Sequence, residues 1–356
     1  MKIAYIIPRL KDSGLTRIPL WLSNSLYPEH EVKVFYFSET NAQEKCLSFN
    51  APVQRISFNG FCQELKNYDI VHSHGLKPDL YLAINYHKIK GIKITTIHGY
   101  HVDELRYDKG SLLGYIWGNL WNLACRKLDL AICISQTMER YYQGLGYKNT
   151  TVIYNGIKKM DDSVKTIKGS NIKTGDKIVI GTVSILNKRK GVEQIIQVLQ
   201  KNTLYHLIAI GGTSQDINRL ELLAEKLGVA QRCVFTGYRE NPWETAINID
   251  VFVFPSRSEG FGLALVEAAN LEIPIICSDI PTFREIFREN EVTFFQLDDI
   301  DDLNNKILML DEIKDKVSLA KLKAEKLFSL ESMCYNYCDE YKKLALRFVL
   351  CNGRGL

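Results

Sequence analysis

The chain is short of the features that mark several protein classes. Nine prolines in 356 residues are too few for a proline-rich linker or recognition segment. Its nine cysteines show no repeated pair spacing, and Cys334 and Cys338 stand one helical turn apart without a second pair. A zinc ribbon and a disulfide scaffold are thereby disfavoured, and free thiols in a reducing compartment are expected. The formal net charge is only +4, so no partner as acidic as nucleic acid is required. No apolar run approaches the length that spans a bilayer. The opening segment 1–8 is too short for the apolar centre of a signal peptide, and Pro8-Arg9 ends it. The expected location is the cytoplasm, either free or resting on the cytoplasmic face of the inner membrane. Three spaced glycines after the first strand are also lacking, which argues against a nicotinamide-cofactor enzyme.

What is present is enough apolar material for two cores, at 46% of the chain. Short β-branched runs alternate with helical periodicity. Strands are expected over 2–7, 32–37, 92–97, 129–135, 177–183, 204–210, 251–254 and 273–277, and helices over 17–26, 192–199 and 216–227. Strand and helix in alternation predict an α/β chain of two doubly wound, Rossmann-like domains. The polar, charged stretch 158–176 reads as a linker between a first domain, 1–165, and a second, 172–329. A last helix begins near residue 330.

The most informative stretch is 251–269. An apolar strand breaks at Pro255-Ser256, turns through Gly260-Phe261-Gly262 and resumes as a helix, with Glu259 in the turn and Glu267 two helical turns on. Strand, glycine turn and helix is how an open α/β sheet builds a ligand site at its carboxyl edge. The glycines let backbone N–H groups approach a phosphate, and the helix start adds positive potential. Lys188, Arg189 and Lys190 cluster before Gly191 at another strand-to-helix turn. They suit a diphosphate, or else a solvated surface. His72 and His74 alternate onto one side of a strand. A zinc site would need a third ligand that is not evident nearby, so a polar edge and ordinary packing both stay open. His98 ends the strand 92–97, with His101 in the loop that follows. Over 107–128 large apolar side chains repeat at helical spacing and end at Arg126-Lys127. This face suits either core packing or a membrane interface.

The segment Glu259-x7-Glu267 with its Gly-Phe-Gly turn resembles that of the retaining GT-B glycosyltransferases of the large family 4 type. These include sucrose synthase-like, phosphatidylinositol mannosyltransferase-like and many bacterial cell-envelope enzymes. The resemblance runs through Ser13-Gly14, where many members carry a glycine pair, His98, Asn155-Gly156, Lys190-Gly191 and Gly237. It implies a GT-B fold: an acceptor-binding first domain, a donor-binding second domain across a cleft, and a C-terminal helix, about 330–356, crossing back to the first. The implied reaction moves a sugar from a nucleotide-diphosphate sugar to a hydroxyl with retention at the anomeric carbon.

By the same resemblance His98, Lys190 and Glu259 carry the chemistry. Gly14, Arg189, Lys190, Gly237, Tyr238, Glu259, Gly260, Phe261, Gly262, Leu263 and Glu267 face the donor. Glu259 would bind sugar hydroxyls, and Glu267 the ribose. His74 and His101 fall on the acceptor side. Ile185 stands where the family usually carries an arginine, and Arg189 is the nearby guanidinium. No Asp-x-Asp element sits at a strand end, so neither metal nor cofactor is expected. The donor expected is a UDP-sugar, with a GDP-sugar as rival. The acceptor expected is a polyprenyl-linked saccharide of a capsule or O-antigen, with a small metabolite as the alternative. A nucleotide-sugar epimerase and a catalytically silent binding protein are the competing readings.

Overall fold

The computed structural model describes residues 1–40, 45–159, 177–246 and 248–351. Two units divide the chain, one formed by Met1–Gly156 with the chain from Leu330 onward and the other by Ile157–Ser329. Most of the expected linker, with the boundaries at 165 and 172, lies outside the described residues, as does 352–356.

Seven parallel strands build the first unit: β1 (Lys2–Arg9), β2 (Glu31–Ser38), β3 (Val53–Arg55), β4 (Ile70–His74), β5 (Ile92–Ile97), β6 (Leu130–Cys133) and β7 (Thr150–Val152). Their order is β3-β2-β1-β4-β5-β6-β7. Residues Ile3 to Ile7 are fully buried, as expected of a strand covered on both faces. β1 runs past Pro8 because the ladder skips that residue, which lacks an N–H, and resumes with Arg9 beside Ser38. The order reverses between β1 and β4, which places a crevice at their carboxyl ends. Helix α1 (Gly14–Leu26) starts at that edge, three residues before the expected position. Ser13 and Thr16 explain the shift, since each side chain accepts the other's backbone N–H in a capping box.

The terminal helix Leu330–Cys351 belongs to this unit, as expected. Met333, Cys334, Tyr337 and Tyr341 share a core with Ile3, Tyr5 and Ile7. Its tyrosines also close a buried polar network. The Tyr341 hydroxyl lies 2.6 Å from His72 Nδ1 and 3.1 Å from the Tyr5 hydroxyl, while Tyr337 lies 3.0 Å from the Thr96 hydroxyl. Thr96 in turn is 2.9 Å from His72 Nε2.

The expected helix over 107–128 is two helices. With α2 (Leu76–Ile84) preceding them, they are α3 (His101–Lys109) and α4 (Ser111–Cys125). Gly110 divides them at φ 85°, a backbone region that stops an α-helix and that glycine adopts freely. The small and polar side of α4 faces inward, with Trp121 donating its indole N–H to Asp79 of α2 at 2.6 Å. Ser73 and Thr95 hydroxyls donate to the same carboxylate at 2.6 and 2.8 Å. Burial pushes the Asp79 pKa up to about 6 despite these donors. Trp121 apart, core packing does not explain the large apolar side chains of α4, which are exposed.

The second unit has six parallel strands: β8 (Ile178–Val183), β9 (Tyr205–Ile210), β10 (Cys233–Phe235), β11 (Val251–Phe254), β12 (Ile275–Ser278) and β13 (Thr293–Phe295). They run in the order β10-β9-β8-β11-β12-β13. All four residues of β11 are buried. Here the switch falls between β8 and β11, the strands that lead into the basic cluster and into the glutamate turn. Both units are thus the doubly wound, Rossmann-like sheets expected.

Candidate active site

At the β8–β11 edge two loops far apart in sequence are tied together. The turn Lys188–Lys190 follows β8, and residues 255–262 follow β11. The Arg257 N–H donates to the Arg189 carbonyl at 2.9 Å. Gln194 binds both loops, its amide donating to the Gly191 and Pro255 carbonyls at 3.2 and 2.9 Å. Gly191 sits at φ 66°, and a Cβ there would lie 2.2 Å from the Pro255 oxygen, so no larger residue fits.

These ties hold Glu259 against two cations. Lys190 Nζ is 2.5 Å from one carboxylate oxygen, and Arg189 Nη1 is 3.5 Å from the other. Arg189 also donates to the Ser258 carbonyl at 2.6 Å, and the Thr282 hydroxyl donates to the Glu259 carbonyl at 2.7 Å. Glu259 is 6% exposed. Burial pushes its pKa up, but the charges of Lys190 and then Arg189 outweigh it, and the net shift is downward. The carboxylate is therefore ionised. Two cations facing one anion leave an excess of positive charge at the start of a helix, which suits an anionic ligand.

The helix Leu263–Asn270 begins at Gly262, whose φ of 94° and the Phe283 ring, 2.9 Å from where a Cβ would sit, require glycine. Gly260 is buried beside it, Leu263 is half-buried, and Phe261 is buried with its ring on Phe328. In this segment Phe261 therefore contributes packing with its side chain. The Glu267 carboxylate accepts the Trp243 indole N–H at 2.9 Å. Gly211 donates to the Gly237 carbonyl at 2.8 Å, which joins the loops after β9 and β10, and Tyr238 projects outward. Ile185, which stands where the resembled family usually carries an arginine, is 54% exposed.

In the first unit the histidines gather at the carboxyl ends of β4 and β5. His98 Nε2 lies 3.0 Å from His74 Nδ1, and the ring of His74 lies 4.3 Å from that of His72. His74 is fully buried, and among the described residues its Nε2 has no partner. A bare lone pair is cheaper to bury than a stranded N–H. His74 therefore carries its proton on Nδ1 and donates to His98, which leaves His98 with an Nδ1–H. Burial pushes the His98 pKa down to about 4. At neutral pH His98 is therefore uncharged, able to donate one hydrogen bond from its ring.

His101 was expected in a loop and instead opens α3. Its ring stacks on Trp121 at 3.6 Å, and Nδ1 lies 2.9 Å from Asn122 Oδ1. The Tyr142 hydroxyl lies 3.0 Å from the His101 N–H and donates to the Gly99 carbonyl at 2.6 Å, which fixes the loop carrying His98. Gly14 is exposed at the start of α1.

Among the described residues, no group of three or more His, Cys, Asp or Glu could hold a metal ion. Sequence reasoning missed Gln194, Trp243, Thr282 and Arg257. Only Trp243 left a signal, as a bulky residue just after the helix-starting Pro242. The others hold backbone carbonyls or neighbouring charges, a task that leaves no spacing pattern.

The chain is similar to known proteins in both of its halves. Residues 163–324 match the family described as Glycosyl transferases group 1, and residues 27–159 match Glycosyltransferase Family 4. The O-antigen biosynthesis glycosyltransferase WclY of Escherichia coli is 32% identical over 321 residues, covering 88% of each chain. HepE of Anabaena, solved in complex with UDP-glucose, superposes with a TM-score of 0.82 at 18% identity, over 96% of this chain and all of that one. Sucrose-phosphate synthase of Thermosynechococcus elongatus superposes with a TM-score of 0.80 at 16% identity, over 97% of this chain and 99% of its own.

Proposed function

This chain belongs to the GT-B glycosyltransferases, its halves matching family 4 and group 1, and we propose that it moves a sugar from a UDP-sugar to a hydroxyl of a lipid-linked saccharide with retention at the anomeric carbon. The observation that carries the reading is the cluster of Lys190, Arg189 and Glu259 beside the glycine turn at the β8–β11 edge. A relative that serves O-antigen synthesis and a structural neighbour that holds UDP-glucose support the polysaccharide setting and the donor.

In this proposal the donor diphosphate is held by Lys190, Arg189 and the N–H groups at the start of the helix Leu263–Asn270. Glu259 accepts hydrogen bonds from the sugar hydroxyls, Glu267 from the ribose, and the Gly237–Tyr238 loop faces the base. The neutral Nδ1–H of His98 donates to the sugar from the first unit, where Gly14 allows close approach, with His74 behind it on the acceptor side. The bond from the anomeric carbon to the phosphate oxygen breaks while the acceptor oxygen attacks the same face. The acceptor's proton passes to that phosphate oxygen, and nucleoside diphosphate leaves. Lys190 and Arg189 stabilise the charge that develops there, a task a metal ion performs in other transferases. The proposed location is the cytoplasmic face of the inner membrane.

Glu267→Ala is expected to weaken UDP binding about 10- to 100-fold, the worth of a charge-assisted hydrogen bond. Trp243→Phe removes the N–H that orients the carboxylate and should act in the same direction by less. Calorimetric titration with UDP checks both, and unchanged affinity in Glu267→Ala sinks the ribose assignment. The reading as a whole is tested with a panel of UDP- and GDP-sugars, with and without a bacterial lipid extract and with a chelator added. UDP release that needs the extract, survives the chelator and yields a product of unchanged anomeric configuration is the expected result. An inverted product overturns retention, GDP release overturns the base, and no binding of any nucleotide sugar overturns the function.

A further inference from the structure

The face that α4 turns outward has no use in the donor chemistry. No residue from Ser111 to Cys125 is charged. An apolar helix in a soluble domain ordinarily buries its large side chains. In α4 the buried side is instead formed by Gly114, Gly118, Trp121, Asn122, Ala124 and Cys125. The two glycines set this orientation. A Cβ on Gly114 would meet the Arg106 backbone nitrogen at 2.3 Å, and one on Gly118 the Val102 Cα at 2.6 Å, so α3 packs backbone to backbone on this side only. The Trp121–Asp79 hydrogen bond locks the rotation. Leu112, Leu113, Ile116, Trp117, Leu120 and Leu123 are left facing outward, Leu112 at 72% exposure. At 1.5 Å per residue they spread over about 17 Å, a contiguous patch of the kind that marks an interaction surface.

Charge decides the occupant. Exposed Arg106 and Lys109, with Asp108 between them in the sequence, leave one net positive charge just before α4, and exposed Arg126 and Lys127 follow it. The acids of α3 in its first turn, Asp103 and Glu104, are half-buried, and Glu104 folds against Gly99. A second copy laid on this face, in either direction, would bring basic ends onto basic ends. A bilayer surface offers an apolar layer for the leucines, an interfacial zone for Trp117 and phosphates for both ends. Among the described residues no helix is long and apolar enough to cross a membrane, so the contact lies on the surface.

We propose that the outward face of α4 is a docking surface for an anionic phospholipid bilayer. It deepens the lipid-linked acceptor reading and rests on it for its purpose, but its test uses no nucleotide, so the two fail separately. The full chain is sedimented with vesicles of phosphatidylcholine alone and with vesicles containing phosphatidylglycerol, at low and high salt. Binding at least tenfold tighter to the anionic vesicles, weakened by salt, is expected. Leu113→Glu with Leu120→Glu, both at exposed positions that leave the core intact, should abolish it, and Lys109→Gln with Lys127→Gln should remove the preference for anionic lipid. Thermal melts of each variant confirm folding. Equal binding by the Leu→Glu variant, or equal binding to neutral vesicles, overturns the proposal. A dimer in vesicle-free solution that the Leu→Glu variant dissolves also overturns it, in favour of a second copy.

Discussion

Lys190→Gln is expected to lower kcat about 100- to 1,000-fold, the usual loss when a group that stabilises leaving charge is removed. Lys190 Nζ is 2.5 Å from the buried Glu259, so the same change also leaves that carboxylate with Arg189 as its remaining cation. Breaking a buried pair from one side costs about 3–5 kcal/mol, so lost activity by itself could reflect lost structure. The double variant Lys190→Gln with Glu259→Gln separates the two. Neutral amides on both sides can pair with each other, but Arg189 then loses its carboxylate, so only part of the stability should return. Activity should not return, because nothing replaces the ammonium at the diphosphate. Denaturant melts and steady-state kinetics on the three variants give the answer. A double variant that regains both stability and turnover would reduce the pair to a structural tie.

The second large effect is on stability in acid. Burial pushes His72 and His101 down to about 3 and holds His74 well below the ordinary value, the charges of neighbouring histidines adding to the effect in each. The unfolded chain takes up these protons near pH 6.5 and the folded one does not. Below pH 6.5 the unfolded state therefore binds more protons, and stability falls with pH until the folded values are reached. At pH 4.5 His72, His101 and His98, whose folded value is about 4, each contribute about 2.7 kcal/mol of destabilisation, roughly 8 kcal/mol for the three, and His74 acts in the same direction. Asp79 acts with the opposite sign. Its folded pKa of about 6 exceeds its ordinary 3.8, so it gains a proton on folding and returns about 2 kcal/mol at that pH. The net loss, on the order of 6 kcal/mol, is comparable to the whole stability of many domains. Denaturant melts between pH 7.5 and 4.5, followed by near-ultraviolet circular dichroism, should show it. A flat profile would mean that these histidines protonate without unfolding.

The sequence carried much of the fold in local patterns. β11 is a continuous β-branched and aromatic run because it is buried on both faces. Gly262 marked a turn because only glycine fits its backbone angle. α1 was placed three residues late because Ser13 pairs with a threonine in its capping box, where a glutamate or glutamine is the usual sign. Arg189 and Lys190 were visible as basic residues before a helix. Their pairing with Glu259, about 70 residues away, was not, because it follows from the adjacency of β8 and β11. His98 was visible at a strand end, but its neutral state was not, since burial sets its pKa.

By itself the sequence determined two doubly wound sheets, a glycine-bounded glutamate turn and a family resemblance, because each is written in spacings within a few tens of residues. Tertiary structure alone decided which charges meet, which histidines stay neutral and which way α4 faces. The apolar period of α4 fits burial and exposure equally. The choice was made by Gly114 and Gly118, whose missing side chains let α3 approach on one side, and by Asp79, which holds Trp121 there.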